Sequence, residues 1–172
     1  MAYVLVSLGS NIARERHIGV ALDALHERFG ELAISRVFES EPVGFESGRN
    51  FYNLVVGFHC AMSVGALQRW CKEVELANGR EVDAPKFSSR SLDIDILSVD
   101  DLSGEIDGVS LPRSEIEHNA FVLQPLAELV PTARHPLSGQ RYIDMWHAFD
   151  RAGQRLWPVT FTWRGSVISR PD

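Results

Sequence analysis

Apolar positions along this chain first follow a period of two. Val4, Val6 and Leu8 share one face of residues 3–8, which predicts a strand. After Gly9-Ser10-Asn11 the period lengthens. Ile18, Leu22, Leu25 and Phe29 recur at helical spacing, Gly30 closes the helix, and Ser10 or Asn11 can cap its start. Residues 32–39, rich in β-branched and aromatic side chains, predict a second strand, and Ser40-Glu41-Pro42-Val43-Gly44-Phe45 opens a loop that runs to Asn50. A third strand over 51–58 sets Tyr52, Leu54, Val56 and Phe58 on one face and Phe51, Asn53 and Val55 on the other. Ser63 then caps a second helix carrying Leu67, Trp70, Val74 and Ala77, ended by Gly79.

The pattern disappears over 80–89, a polar loop long enough to be functional rather than a plain connector. It returns where Leu92, Ile94 and Ile96 alternate with Ser91, Asp93 and Asp95. A hairpin over 100–109 carries Gly104 and Gly108, and 122–129 is a short apolar helix or a strand-to-helix passage. Pro131 and Pro136 break the chain, 143–149 is a last helix, and 157–168 adds an edge strand. The order βαββαβ followed by additions predicts an α+β, ferredoxin-like sandwich: a mainly antiparallel sheet with two helices on one face. One domain spans 1–172, with a core of about 1–136 and a C-terminal addition over 137–172.

Composition changes this picture little. The chain has 172 residues, 45% of them hydrophobic and 23% charged, which is ordinary for a globular domain. A net charge of −6 argues against nucleic acid as a partner. Cys60 and Cys71 lack C-x-x-C spacing and suit a reducing compartment. With Met1-Ala2 running straight into strand-like sequence and no apolar run of membrane-spanning length, a cytoplasmic protein is expected.

Candidate chemistry concentrates at Asp93 and Asp95. Two residues apart on a strand, they point to the same side, about 7 Å apart along it. Each carboxylate raises the pKa of the other unless a cation intervenes. Mg²⁺ takes one or two carboxylates and completes its shell with water and substrate phosphates. Arg80 and Arg90 flank the polar loop, and cations beside such a pair suit phosphate handling. For an anonymous D-x-D, a merely solvated strand face is the alternative. Gly9, at the end of an inner strand, lets a flat ligand approach the backbone closely. Asn53, polar within an apolar strand, can read the donor and acceptor edge of a heterocycle or can satisfy a neighbouring backbone group. No P-loop, H-E-x-x-H or C-x-x-C motif occurs.

Several segments together resemble the 6-hydroxymethyl-7,8-dihydropterin pyrophosphokinase family. They are Leu8-Gly9-Ser10-Asn11, Ser40-Glu41-Pro42-Val43-Gly44, Phe51-Tyr52-Asn53, Glu75, Gly79-Arg80, and Arg90-Ser91-Leu92-Asp93-Ile94-Asp95-Ile96-Leu97. Leu111-Pro112, Phe121-Val122-Leu123, Pro125-Leu126 and His135-Pro136 complete the set, in the family's order and spacing. The resemblance implies transfer of a diphosphate from ATP to the pterin's hydroxymethyl group, with release of AMP, in folate biosynthesis. It implies that Asp93 and Asp95 hold two Mg²⁺ ions, and that these aspartates, Arg80 and Arg90 carry catalysis. It places ATP on Glu75, Arg80, Lys86, Phe87, Arg90, Ile96 and Arg113. The pterin falls to Gly9, Ser40, Glu41, Pro42, Val43, Asn53, Asp93 and a stacking Phe121. The 80–89 segment corresponds to a loop that closes over ATP.

This chain also departs from the family's pattern. Arg113 stands where the family usually has a histidine, and Asn119 where it has a second phosphate-binding arginine. Val82 and Asp83 replace commonly basic residues, and Phe87 a frequent tryptophan. Arg113 is expected to supply the charge missing at Asn119, and Asn119 to act as a helix or turn cap. A paralogue for a different pterin, or a pterin- or nucleotide-binding module without catalysis, are the alternatives. Of the histidines, His17 and His26 are expected on the polar face of the first helix, His118 in solvent and His135 at a turn.

Overall fold

The computed structural model describes residues 1–42, 49–79 and 91–172. Val43, Arg80, Val82, Asp83, Lys86, Phe87 and Arg90 lie outside the described residues.

Strand β1 (Ala2–Ser10) lies inside the main sheet, and its alternation sends side chains to two different cores. Val4, Val6 and Leu8 pack with Ile18, Leu22 and Leu25 of helix α1 (Arg14–Phe29), while Leu5 turns to the opposite face. Gly30 ends α1 at φ 85, its amide bonded to the His26 carbonyl. The start of α1 differs from expectation. Ala13, left-handed at φ 44, occupies the cap position, whereas the Ser10 hydroxyl donates to the carbonyls of Ser91 and Ile12. His17 is not on a wet face either. It is buried, its Nδ1 at 2.5 Å from the Ile12 carbonyl, because the chain folds back over the helix start.

The second strand is interrupted. It forms β2 (Ala33–Ile34) and β3 (Val37–Ser40), both paired with β4 (Phe51–Cys60). From Ile34 opposite Val56 to Phe38 opposite Asn53, one strand advances four residues and its partner three, which is a bulge. Ser35 fills the gap: its hydroxyl accepts the Val55 amide at 2.9 Å. Helix α2 (Val64–Ala77) starts as expected, with the Ser63 hydroxyl accepting the Ala66 amide. Its Leu67 and Cys71 join the α1 core.

Strand β5 (Asp93–Val99) closes the sheet on the other edge of β1. The hairpin of β6 (Gly104–Ile106) and β7 (Val109–Leu111) follows, then α3 (Glu115–His118) and α4 (Ala120–Leu129). Helix α5 (Tyr142–Ala148) packs on α4, and the two cover Leu5, Val55 and Leu97. Helices therefore lie on both faces: the expected α1/α2 layer and a second layer from the chain's later third. The order β5-β1-β4-β3, all antiparallel, is the ferredoxin-like arrangement. The tail adds β8 (Leu156–Val159) beside β3, and a hairpin of β9 (Phe161–Trp163) and β10 (Ser166–Ser169) whose Phe161 enters the α1 core. No described helix is long and apolar enough to cross a membrane.

Candidate active site

The aspartates begin β5, and the strand's period decides where they point. Leu92, Ile94 and Ile96 are almost wholly buried against the α1/α2 core, so Asp93 and Asp95 project from the opposite face. Opposite Asp95 on β1 is Ser7, and opposite Asp93 is Gly9. Both are small residues. Further along this face Leu97, Leu5 and Val55 disappear beneath α4. The face thus grades from dry under the helix to polar at the aspartates.

Glu75 fixes this strand from α2. Its Oε2 accepts the amide of Ile94, the residue between the two aspartates, at 2.7 Å. Glu75, expected at the nucleotide, is buried, and its carboxylate fastens α2 to β5. Ile96, also expected there, has its side chain in the α1/α2 core, so any ligand contact falls to its backbone.

The electrostatics follow from the crowding. Burial pushes the Asp95 carboxyl well above the usual carboxylate range, and the charge of Asp93 adds to this. Arg113 only partly offsets both, with its Nη2 at 3.5 Å from Asp95 Oδ1. Its amide is anchored on the Leu97 carbonyl, and Glu115 Oε1 accepts from Nη2 at 2.7 Å and from Nε at 3.1 Å. Burial opposes the Arg113 charge, yet Asp95 and Glu115 hold its pKa above the ordinary value. Among the described residues no cluster of three or more His, Cys, Asp or Glu side chains forms a ready-made metal cage. Two carboxylates, each unfavourable beside the other, form the donor set that Mg²⁺ accepts when phosphates supply the remaining oxygens.

Asn53 lies opposite Gly9 on β1 and opposite Phe38 on β3. A Cβ built on Gly9 would come within 2.8 Å of Asn53 Oδ1, so the glycine makes room for the carboxamide itself. The Nδ2 of Asn53 donates to the Ser40 hydroxyl at 3.3 Å. Asn53 and Ser40 therefore share this face with the aspartates. Ser40, Glu41 and Pro42 then form one wall of an open groove, with Ala120 and Phe121 on another. The groove is a shallow, open cleft that encloses about 40 Å³.

Gly153, Gln154, Arg155 and Leu156 also line this groove, and sequence reasoning missed all four. No motif marks them. They reach the groove because β8 pairs with β3, setting Leu156 opposite Ser40. Asn119 also differs from expectation. It stands at the start of α4, but its side chain makes no cap and instead donates to Glu115 at 3.5 Å. His118 is exposed, and His26 Nδ1 lies 2.9 Å from the Gly30 carbonyl. His135 sits at a turn as expected, buried, with Nδ1 accepting the amides of Leu137 and Ser138.

The sequence pattern of the 7,8-dihydro-6-hydroxymethylpterin-pyrophosphokinase (HPPK) family matches residues 5–131. The chain belongs to that family. The 2-amino-4-hydroxy-6-hydroxymethyldihydropteridine pyrophosphokinase of Aquifex aeolicus is 34% identical over 80% of this chain and 86% of its own length. That of Pseudomonas aeruginosa is 35% identical over 77% and 83%. The solved HPPK-DHPS of Plasmodium falciparum superposes with a TM-score of 0.68 at 12% identity, over 98% of this chain and 50% of its own. An HPPK-DHPS in complex with substrates gives 0.70 at 10%, over 98% and 48%. This chain spans about half the length of those solved chains, and the likeness shows the shared fold. The HPPK match ends at residue 131, so Gly153, Gln154, Arg155 and Leu156 lie outside the matched stretch.

Proposed function

We propose that the protein is an ATP-dependent pyrophosphokinase of folate biosynthesis, transferring diphosphate to the hydroxymethyl group of 6-hydroxymethyl-7,8-dihydropterin and releasing AMP. The observation that carries the site assignment is the shared face: the aspartate pair, Gly9, Asn53 and Ser40 follow one another across the sheet and lead to the groove at Phe121. The new bond joins the hydroxymethyl oxygen to the β-phosphorus, and the bond that breaks joins that phosphorus to the oxygen leaving with AMP.

The chain's residues divide this work. Asp93 and Asp95 would hold two Mg²⁺ ions, which supply charge neutralisation to the phosphates when bound. Phe121 stacks on the pterin ring, and Asn53, Ser40, Glu41, Pro42, Val43 and the Gly9 backbone read its edge. Arg80, Lys86, Phe87 and Arg90 serve the nucleotide, with Glu75 steadying the acidic strand and the Ile96 backbone beside it. Arg113, held by Glu115 next to Asp95, offers a cation to the phosphates in place of the charge missing at Asn119. An Arg113→Ala enzyme with unaltered KM for ATP would refute that role.

The decisive experiment supplies ATP, Mg²⁺ and 6-hydroxymethyl-7,8-dihydropterin and measures AMP. Pterin-dependent AMP release is expected. Pterin binding without AMP would identify a binding module, and no pterin binding would identify a different substrate.

A further inference from the structure

The turn that carries Phe121 is held weakly by its own helix. Helix α4 begins at Ala120, and the residue in front of it, Asn119, spends its side chain on Glu115 rather than on the helix amides. One turn on stands Pro125, which has no N–H to donate to the carbonyl four residues back, that of Phe121. The first turn of α4 thus lacks both a local side-chain cap and one of its backbone bonds.

The missing support comes from 34 residues away. Gln154 Oε1 accepts the Ala120 amide at 2.8 Å, and its Nε2 donates to the His118 carbonyl at 3.0 Å. One carboxamide therefore brackets the segment 118–120 immediately before Phe121. Gln154 is half-buried while Gly153 and Arg155 beside it are exposed, so the side chain turns inward from a surface loop. The loop itself is anchored. Leu156 and Trp157 pair with Ser40 and Glu39 of β3, and the Ser169 hydroxyl takes the Val37 amide and donates to Val159. The same loop lines the groove against Ser40, Glu41, Pro42 and Phe121.

We infer that the C-terminal tail completes the ring-binding groove, and that Gln154 is a positioning residue that sets Phe121 against the Ser40–Pro42 wall. The inference rests on the pterin reading of this groove. Gln154 acts through Phe121, touching the backbone before it rather than the ring. Its removal leaves the Ala120 amide without its acceptor and frees the stacking residue to drift, which weakens pterin binding and leaves the nucleotide side unaltered.

The test is a double-mutant cycle. Gln154→Ala should raise both the dissociation constant and the KM for the hydroxymethyl dihydropterin about tenfold, with kcat and the KM for ATP within about twofold. Gln154→Glu keeps the acceptor for Ala120 but loses the donor to His118, and should fall between. In a Phe121→Ala background, Gln154→Ala should add no further loss. Equal pterin affinity in Gln154→Ala and the unaltered protein overturns the inference alone, as does full additivity with Phe121→Ala or an equal loss for ATP. If Gln154→Ala fails to fold by thermal melting, the same cycle is run with Gln154→Glu. An unaltered protein that does not bind the pterin overturns the functional reading itself, and this inference with it.

Discussion

At the residue scale, the two aspartates illustrate a site that is unfavourable until it is used. Burial and mutual repulsion raise the Asp95 carboxyl, so its anionic form is costly in the protein alone. Asp95→Asn should lower kcat by about a hundredfold or more while the melting temperature holds or rises, because on the proposed assignment the variant removes a metal ligand and a repulsion together. Near-normal turnover of that variant would refute the metal assignment. His135 makes the opposite kind of contribution. Its Nδ1 accepts two amides, so the ring must be neutral at that nitrogen, and burial holds its pKa below the usual histidine range. A depressed pKa gives stability that is present above the unfolded value and lost as pH falls through the folded one. Urea midpoints should therefore fall between about pH 7 and about pH 5, and His135→Gln should flatten that slope. The role of His135 at a turn was legible from His135-Pro136. The burial of His17 was not, because helical periodicity does not report a chain folding back over its own helix.

At the element scale, β5 shows how one strand serves two purposes. Ile94 and Ile96 build the α1/α2 core while Asp93 and Asp95 face the site, and Glu75 fastens the amide between the two aspartates. Ile94→Asp should unfold the protein, since a charge in that dry core costs several kcal/mol against a typical total of about 5–15 kcal/mol. A cooperative unfolding transition with the native midpoint would contradict this. Alternation along 92–97 made β5 readable from sequence alone. The bulge at Ser35 escaped the same reasoning: the extra residue shifts the alternation by one, so that Ile34 and Val37 face the same core, and one such shift in a short strand carries no motif of its own.

At the scale of the whole molecule, the tail matters most. Phe161 fills the α1 core beside Tyr52, β8 covers the edge of β3, and the Ser169 hydroxyl bonds to Val37. Deleting residues 150–172 should lower the urea midpoint markedly and expose the β3 edge; an unchanged midpoint would mean that the tail is an appendage. From the sequence by itself came the βαββαβ order, the acidic strand, the helix ends at Ser63 and Gly30, and the family. All of these rest on local periodicity, capping chemistry or motifs that stay short and contiguous. Only the tertiary structure decided that helices cover both sheet faces, that Glu75 works inside the core, and that Gln154 reaches the turn before Phe121. Such contacts join residues far apart in the chain, and a hydrogen bond between the first amide of a helix and a distant loop glutamine leaves no periodic trace in either segment.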